Sequence, residues 1–188
     1  MIAIESRRRK ATTLAAEYPG CEILDLTSKA DEPWIRFSPF FPHSEIPVPF
    51  SEGHQAASVE GIWQGLKVFA DEGVDPAKFK VTSMKGIKRS VRTRGPVLGH
   101  QRGLSSSELL PYLDARRHIY LPSYRWVLDN CLRGELESLR AIVAKGGVVL
   151  LDYETNSDIT NLSRPLSHAS LVRAYLQNQW PDQGGELE

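Results

Sequence analysis

Five prolines fall between residues 33 and 50: Pro33, Pro39, Pro42, Pro47 and Pro49. Each fixes φ at about −65° and removes a backbone donor, so no long helix crosses this stretch. It is either a surface loop or an ordered wall of a pocket. Its aromatic residues, Phe37, Phe40, Phe41 and Phe50, favour the wall, because rings of that size bury most of their surface.

The chain on either side carries regular patterns. A basic start, Ser6-Arg7-Arg8-Arg9-Lys10, leads into a short helix ending near Glu17, and Tyr18-Pro19-Gly20 breaks it. That basic start reads as a solvated helix start or as a nucleic-acid arm. Cys21 to Leu26 alternates apolar and polar residues and predicts a half-buried strand. Ser58 to Ala70 predicts an amphipathic helix, with Val59, Ile62, Trp63, Leu66 and Phe69 at helical spacing. A second helix is expected over Thr82 to Arg92. Further helices are expected over Ser123–Leu132, after Pro122, and over Glu135–Ala144, stopped by Gly146-Gly147. Val148-Val149-Leu150-Leu151 is a continuous apolar run, the mark of a buried strand. A polar loop from Asp152 to Asn161 follows, and then a last helix capped by Ser167 and carrying Leu171, Val172, Tyr175 and Leu176. Without repeats or a linker, the pattern predicts an α+β chain: one mostly helical domain over residues 1–180 with a small β-sheet, and a disordered tail at 181–188.

Charge and composition restrict the function. The 23 basic and 23 acidic residues cancel, which argues against a general nucleic-acid coat but leaves room for a local basic patch. Residues 76–107 are such a patch, with eight basic residues and no acid. Cys21 and Cys131 have neither CxxC nor metal-ligand spacing, and two reduced thiols suit a cytoplasmic protein. No apolar run has signal-peptide length or approaches the ~20 residues of a membrane span. The five histidines show no pairing of metal-ligand type, so no metal site is expected; His168, at a helix start, stands out among them. No GxGxxG and no Walker A loop occurs, and Ser105-Ser106-Ser107 lacks a nucleophile elbow, so no cofactor is expected either.

On a helical wheel Glu60, Gln64 and Lys67 share one line at i, i+4 and i+7, bordering the apolar face of the 58–70 helix. This is either an ordinary exposed pairing, worth a few tenths of a kcal/mol, or the wall of a cleft. Lys85, Lys88, Arg89 and Arg92 would likewise share one face of the 82–92 helix, either as a solvated basic stripe or as a phosphate grip. Asp152, at the end of the buried strand, is held where strand-end carboxylates often face a site. Trp126 reads as core or as a stacking ring.

Ser58-Val59-Glu60-Gly61-Ile62-Trp63-Gln64-Gly65-Leu66-Lys67-Val68-Phe69 resembles the signature of the NADAR family, in which Ser/Thr-x-Glu precedes His, two aromatics, Gln-Ala and Lys-Phe. Phe37-Ser38-Pro39-Phe40-Phe41-Pro42 resembles that family's Leu-Ser-Asn-Phe-Tyr-Pro, and residues 82–89 stand where it carries a Lys-bearing helix. The departures are Pro39 for Asn, Gly61 for His, Gly65 for Ala and a missing Trp-Gly turn near the C-terminus. The resemblance implies hydrolysis of a ribose C1–N bond, in ribosylamine intermediates of the riboflavin pathway or in ADP-ribosylated guanine of DNA. It implies Glu60 as the catalytic carboxylate and a second acid near the C-terminus, for which Asp152 is the candidate over Asp158. Ser38, Phe40, Gln64, Lys67, Lys88 and Arg89 are the candidate substrate contacts. The expected partner is a phosphorylated ribosyl compound or an ADP-ribosylated nucleic acid. The alternative is a non-catalytic nucleotide-binding module.

Overall fold

A computed structural model describes residues 1–181 of the protein. The α+β architecture expected from the sequence is observed, with short sheets among helices. By their internal contacts the described residues fall into two compact units, 1–38 with 128–181, and 39–127. The expected disorder of the tail lies, from residue 182 onward, outside the described residues.

The first unit is built on three parallel strands, β1 (Ile2–Ser6), β2 (Glu22–Asp25) and β8 (Val148–Asp152), in the order β1-β8-β2. The apolar run is the middle strand, and all five of its residues are buried. Side chains alternate across a strand, so Val149 and Leu151 pack on Leu14 of α1 (Ala11–Glu17), while Val148 and Leu150 point the other way. Helix α7 (His168–Leu176) packs on β8 and β1, and the Ser167 Oγ that caps it accepts from Ser170 N. Helix α6 (Arg133–Lys145) completes this unit, fixed by an Arg36–Glu135 ion pair at 2.6 Å. The basic start is ion-paired rather than open: Arg7 meets Asp25, and Arg9 meets Glu5 and Glu17.

The second unit holds a small hairpin, β3 (Ile46–Pro47) with β4 (Gln55–Ala56), and an antiparallel sheet, β5 (Lys67–Phe69), β6 (Val97–Gln101) and β7 (Leu109–Leu110). Helix α2 (Val59–Gly65) precedes β5 directly, and α3 (Val91–Arg94) precedes β6. Helix α4 (Tyr112–Ala115) runs through a π-turn at Arg116–Tyr120 into α5 (Leu121–Asn130).

Two helix expectations are corrected. The 58–70 helix ends at Gly65, and Lys67 starts a strand. The carbonyls that would continue the helix are taken by other segments: Asp75 N donates to Gly65 O at 2.8 Å, and the Arg89 guanidinium donates to Gln64 O at 3.1 Å. The 82–92 helix does not form. Only Val91–Arg94 is helical, so Lys85, Lys88, Arg89 and Arg92 share no helical face. Residues 87–90 instead alternate, with Ile87 and Arg89 buried and Lys88 and Ser90 exposed. Tertiary hydrogen bonds to α2 override the helical pattern there.

Candidate active site

The candidate site starts at the N-terminus of α2. Ser58, in extended geometry, accepts from Gly61 N at 3.0 Å and starts the helix. Glu60 N donates to Pro39 O at 2.8 Å, which ties the proline-rich segment to the first turn. Of that segment's rings, Phe37 is buried, Phe40 and Phe41 are half-buried and Phe50 is exposed.

Glu60 is only 8% exposed. Its Oε1 accepts from Gln64 Nε2 at 2.8 Å. The orientation of that amide is fixed by its other end. Gln64 Oε1 accepts from Arg89 N at 2.9 Å and from Lys67 Nζ at 3.2 Å, and neither group can accept in return. Gln64 is therefore a positioning residue, held between the carboxylate and two donors, and does not read a ligand edge. Burial pushes the Glu60 carboxyl above its ordinary range, against the Gln64 hydrogen bond and the charges of Lys88 and Lys67. Burial also pulls the Lys67 ammonium below its usual range, opposed by Glu60 and reinforced by Arg89 and Lys88. A buried carboxyl thus stands in a cluster with a partly desolvated cation.

Arg89 has an internal role instead of the expected ligand contact. It is 2% exposed, and its guanidinium donates to Gln64 O, to Lys67 O at 2.6 Å and to Gly73 O at 2.7 Å, with Glu72 at 3.2 Å. Lys88 is exposed and holds its Nζ 5.2 Å from the centre of the Phe40 ring, a cation over an aromatic face. Lys88 remains available to a phosphate; Arg89 does not.

Gly61 and Gly65, which depart from the signature, have a packing reason. The 3₁₀ turn Pro76–Lys80 lies against α2, and a Cβ at Gly61 would stand 2.8 Å from Lys78 O. At Gly65 a Cβ would stand 2.3 Å from the Phe79 ring. A histidine at position 61 cannot fit beside this turn.

Ser38 and Asp152 belong to the first unit. Ser38 is buried and closes the 3₁₀ turn Trp34–Phe37 by donating its N–H to Ile35 O at 2.9 Å. Asp152 is fully engaged. Its Oδ2 accepts from Ser167 Oγ at 2.8 Å and lies 3.0 Å from His168 Nδ1, and its Oδ1 accepts from Tyr153 N at 2.7 Å. Burial alone would raise its pKa. The His168 charge and the hydrogen bonds from His168, Ser167 and Ala169 overcome that and hold it at about 2. A carboxylate so occupied is a poor acid or base, so the expected second catalytic acid is a structural ion pair with His168.

Sequence reasoning missed the aromatic group beside Lys67. The Trp63 ring lies 3.8 Å from the His100 ring, centre to centre, with Tyr112 and Tyr120 each edge-on at 5.7 Å. His100 faces Lys67 across the β5–β6 pairing. No local signal marks a partner 33 residues away in sequence (100 − 67). Among the described residues, no group of three or more His, Cys, Asp or Glu is set to hold a metal ion, and no helix is long and apolar enough to cross a membrane.

Residues 6–172 match the model of a family of unknown function, DUF6939, and the chain belongs to that family. No curated protein and no solved structure matches it.

Proposed function

We propose that this DUF6939 protein is an N-glycoside hydrolase that cleaves a ribose C1–N bond, in an ADP-ribose-linked base or a ribosylamine, with Glu60 as the catalytic carboxylate. The observation that carries the reading is Glu60 itself: buried, its carboxyl pushed up by that burial, oriented by Gln64 and close to the charges of Lys67 and Lys88. The NADAR resemblance of residues 37–42 and 58–69 supplies the reaction class.

Cleavage of such a bond passes through a state with positive charge on C1 and the ring oxygen. A carboxylate beside C1 stabilises that charge and accepts the proton of the attacking water. The water oxygen bonds to C1, the C1–N bond breaks, and the nitrogen takes a proton from bulk water, to which Glu60 then releases the proton it accepted. Lys88, exposed over Phe40, is the natural phosphate contact, and Lys67 balances the carboxylate. The free thiols of Cys21 and Cys131 suit a reducing cytoplasm.

A non-catalytic nucleotide-binding module is the second reading, favoured by the engagement of Asp152 with His168. Two substrates separate the readings: DNA bearing ADP-ribosylated guanine, and a phosphorylated ribosylaminopyrimidine. The parent protein releases the base from one of them, and Glu60→Gln lowers that rate by at least ~10²-fold, the scale of general acid–base help, with ligand binding retained. Binding without release by the parent supports the module. Release by Glu60→Gln at the parent rate removes Glu60 from the reaction.

A further inference from the structure

His100 is 1% exposed, and neither ring nitrogen has a hydrogen-bond partner among the described residues. Buried polar atoms in folded proteins are nearly always paired, so an exception calls for a reason. Position 100 would accept a leucine without leaving any polar atom unpaired. Its neighbours identify the reason. Strands β5 and β6 are antiparallel with Lys67 opposite His100, so both side chains emerge on one face of the sheet. Lys67 is bonded to Gln64, and Gln64 to Glu60. Trp63, one turn beyond Glu60's predecessor on α2, covers the imidazole and is itself only half-buried.

We infer that His100 is a ligand-contacting residue of the Glu60–Lys67 site, its unpaired ring nitrogens meeting a sugar hydroxyl when ligand binds. The inference rests on the glycosidase reading and names the part of the substrate that His100 recognises. A neutral imidazole offers one N–H donor and one lone pair, and a ribose hydroxyl can meet either. A phosphate offers only acceptors and would favour the imidazolium, which burial and the Lys67 charge disfavour, drawing the ring's pKa down to about 3.

The test uses the full chain labelled with ¹⁵N-histidine, with ADP-ribose, ribose 5-phosphate and inorganic phosphate as probes. Without ligand, the His100 nitrogens report a neutral, unbonded ring across the ordinary pH range. ADP-ribose and ribose 5-phosphate shift one of them towards the hydrogen-bonded position, and inorganic phosphate does not. His100→Leu melts no lower than the parent and binds ADP-ribose roughly tenfold more weakly, as the loss of one hydrogen bond requires. His100→Gln, which keeps a donor and an acceptor, recovers part of that affinity. The inference is overturned if ADP-ribose moves other signals of the protein but leaves both His100 nitrogens unchanged, or if His100→Leu binds like the parent. A ring already hydrogen-bonded before ligand is added overturns it too, by marking a structural water. Should His100→Leu fail to fold, the nitrogen shifts of the parent decide alone. A parent that binds none of the sugar probes overturns both this assignment and the glycosidase reading, whereas binding with a silent His100 overturns this assignment only.

Discussion

Gln64 Nε2 donates to Glu60 Oε1 at 2.8 Å, one helical turn along α2, while the other end of the same amide accepts from Arg89 N and Lys67 Nζ. One side chain therefore orients the carboxylate and opposes the rise in pKa that burial causes. Gln64→Leu removes a hydrogen bond that lowers the Glu60 pKa and strands the buried Arg89 N–H. On the role proposed for Glu60, the acidic limb of the pH–rate profile moves to higher pH, because Glu60 then takes up its proton more readily. Unfolding free energy should fall by roughly 1–3 kcal/mol, the cost of an unmet buried donor. A variant that loses stability while its acidic limb stays in place would show that another group titrates in catalysis.

Lys88 and Arg89 are adjacent cations with opposite roles. Lys88→Glu should leave the melting temperature nearly unchanged, weaken binding of phosphorylated ligands and reduce the salt dependence of that binding. Arg89→Ala should unfold the second unit or lower its stability by about 3 kcal/mol or more, because the carbonyls of Gln64, Lys67 and Gly73 lose their donors. Thermal melts read beside ligand titrations separate the two; equal effects from both variants would contradict the geometry.

Gly61→Ala introduces a Cβ 2.8 Å from the Lys78 carbonyl, a backbone atom that cannot step aside alone. The expected cost is about 1–3 kcal/mol, as for other overpacked sites, read by denaturant unfolding. Gly61→His, which introduces the residue of the NADAR signature, should be worse rather than better. An unchanged midpoint for Gly61→Ala would mean that the 76–80 turn does not press on α2.

The Asp152–His168 pair makes stability depend on pH at both ends. His168 Nδ1 faces the carboxylate, and Nε2 lies 2.8 Å from Leu26 O, so both nitrogens meet acceptors and the ring is an imidazolium. Burial alone would lower its pKa; Asp152 and Leu26 O outweigh that and raise it. A raised histidine stabilises fully below its unfolded value of about 6.5 and loses that contribution as pH rises through the folded value. A depressed Asp152 stabilises above its unfolded value of about 3.9 and loses it as pH falls through about 2. The stability difference between the parent and His168→Gln should therefore be largest between about pH 4 and 6.5 and shrink on both sides. A difference that is flat with pH would mean the histidine is neutral.

Much of this was legible locally. The alternation at 21–26, the apolar run of β8 and the cap Ser167 depend on neighbours within a few residues, and the structure has a strand at 22–25, the buried β8 and the Ser167 cap. The Glu60–Gln64 contact was legible too, because i and i+4 meet on any helix. The end of α2 at Gly65 was not, since the groups that take its last carbonyls come from Asp75 and Arg89. The 82–92 helix misled for the same reason: a basic periodicity at i, i+3, i+4 and i+7 does not reveal that Arg89 is committed to α2 and β5.

The sequence by itself determined the α+β class and the central strand, because propensity and apolar runs act over a few residues, and the resemblance of residues 58–69 singled out Glu60 as the carboxylate to test. Only the tertiary structure decided the state of that carboxylate and the roles of its neighbours. It turned Arg89 inward, tied Asp152 to His168, set His100 opposite Lys67 and left little room for a side chain at Gly61. Each of those outcomes depends on which distant backbone groups must be paired once water is excluded, and spacing along the chain carries no record of that.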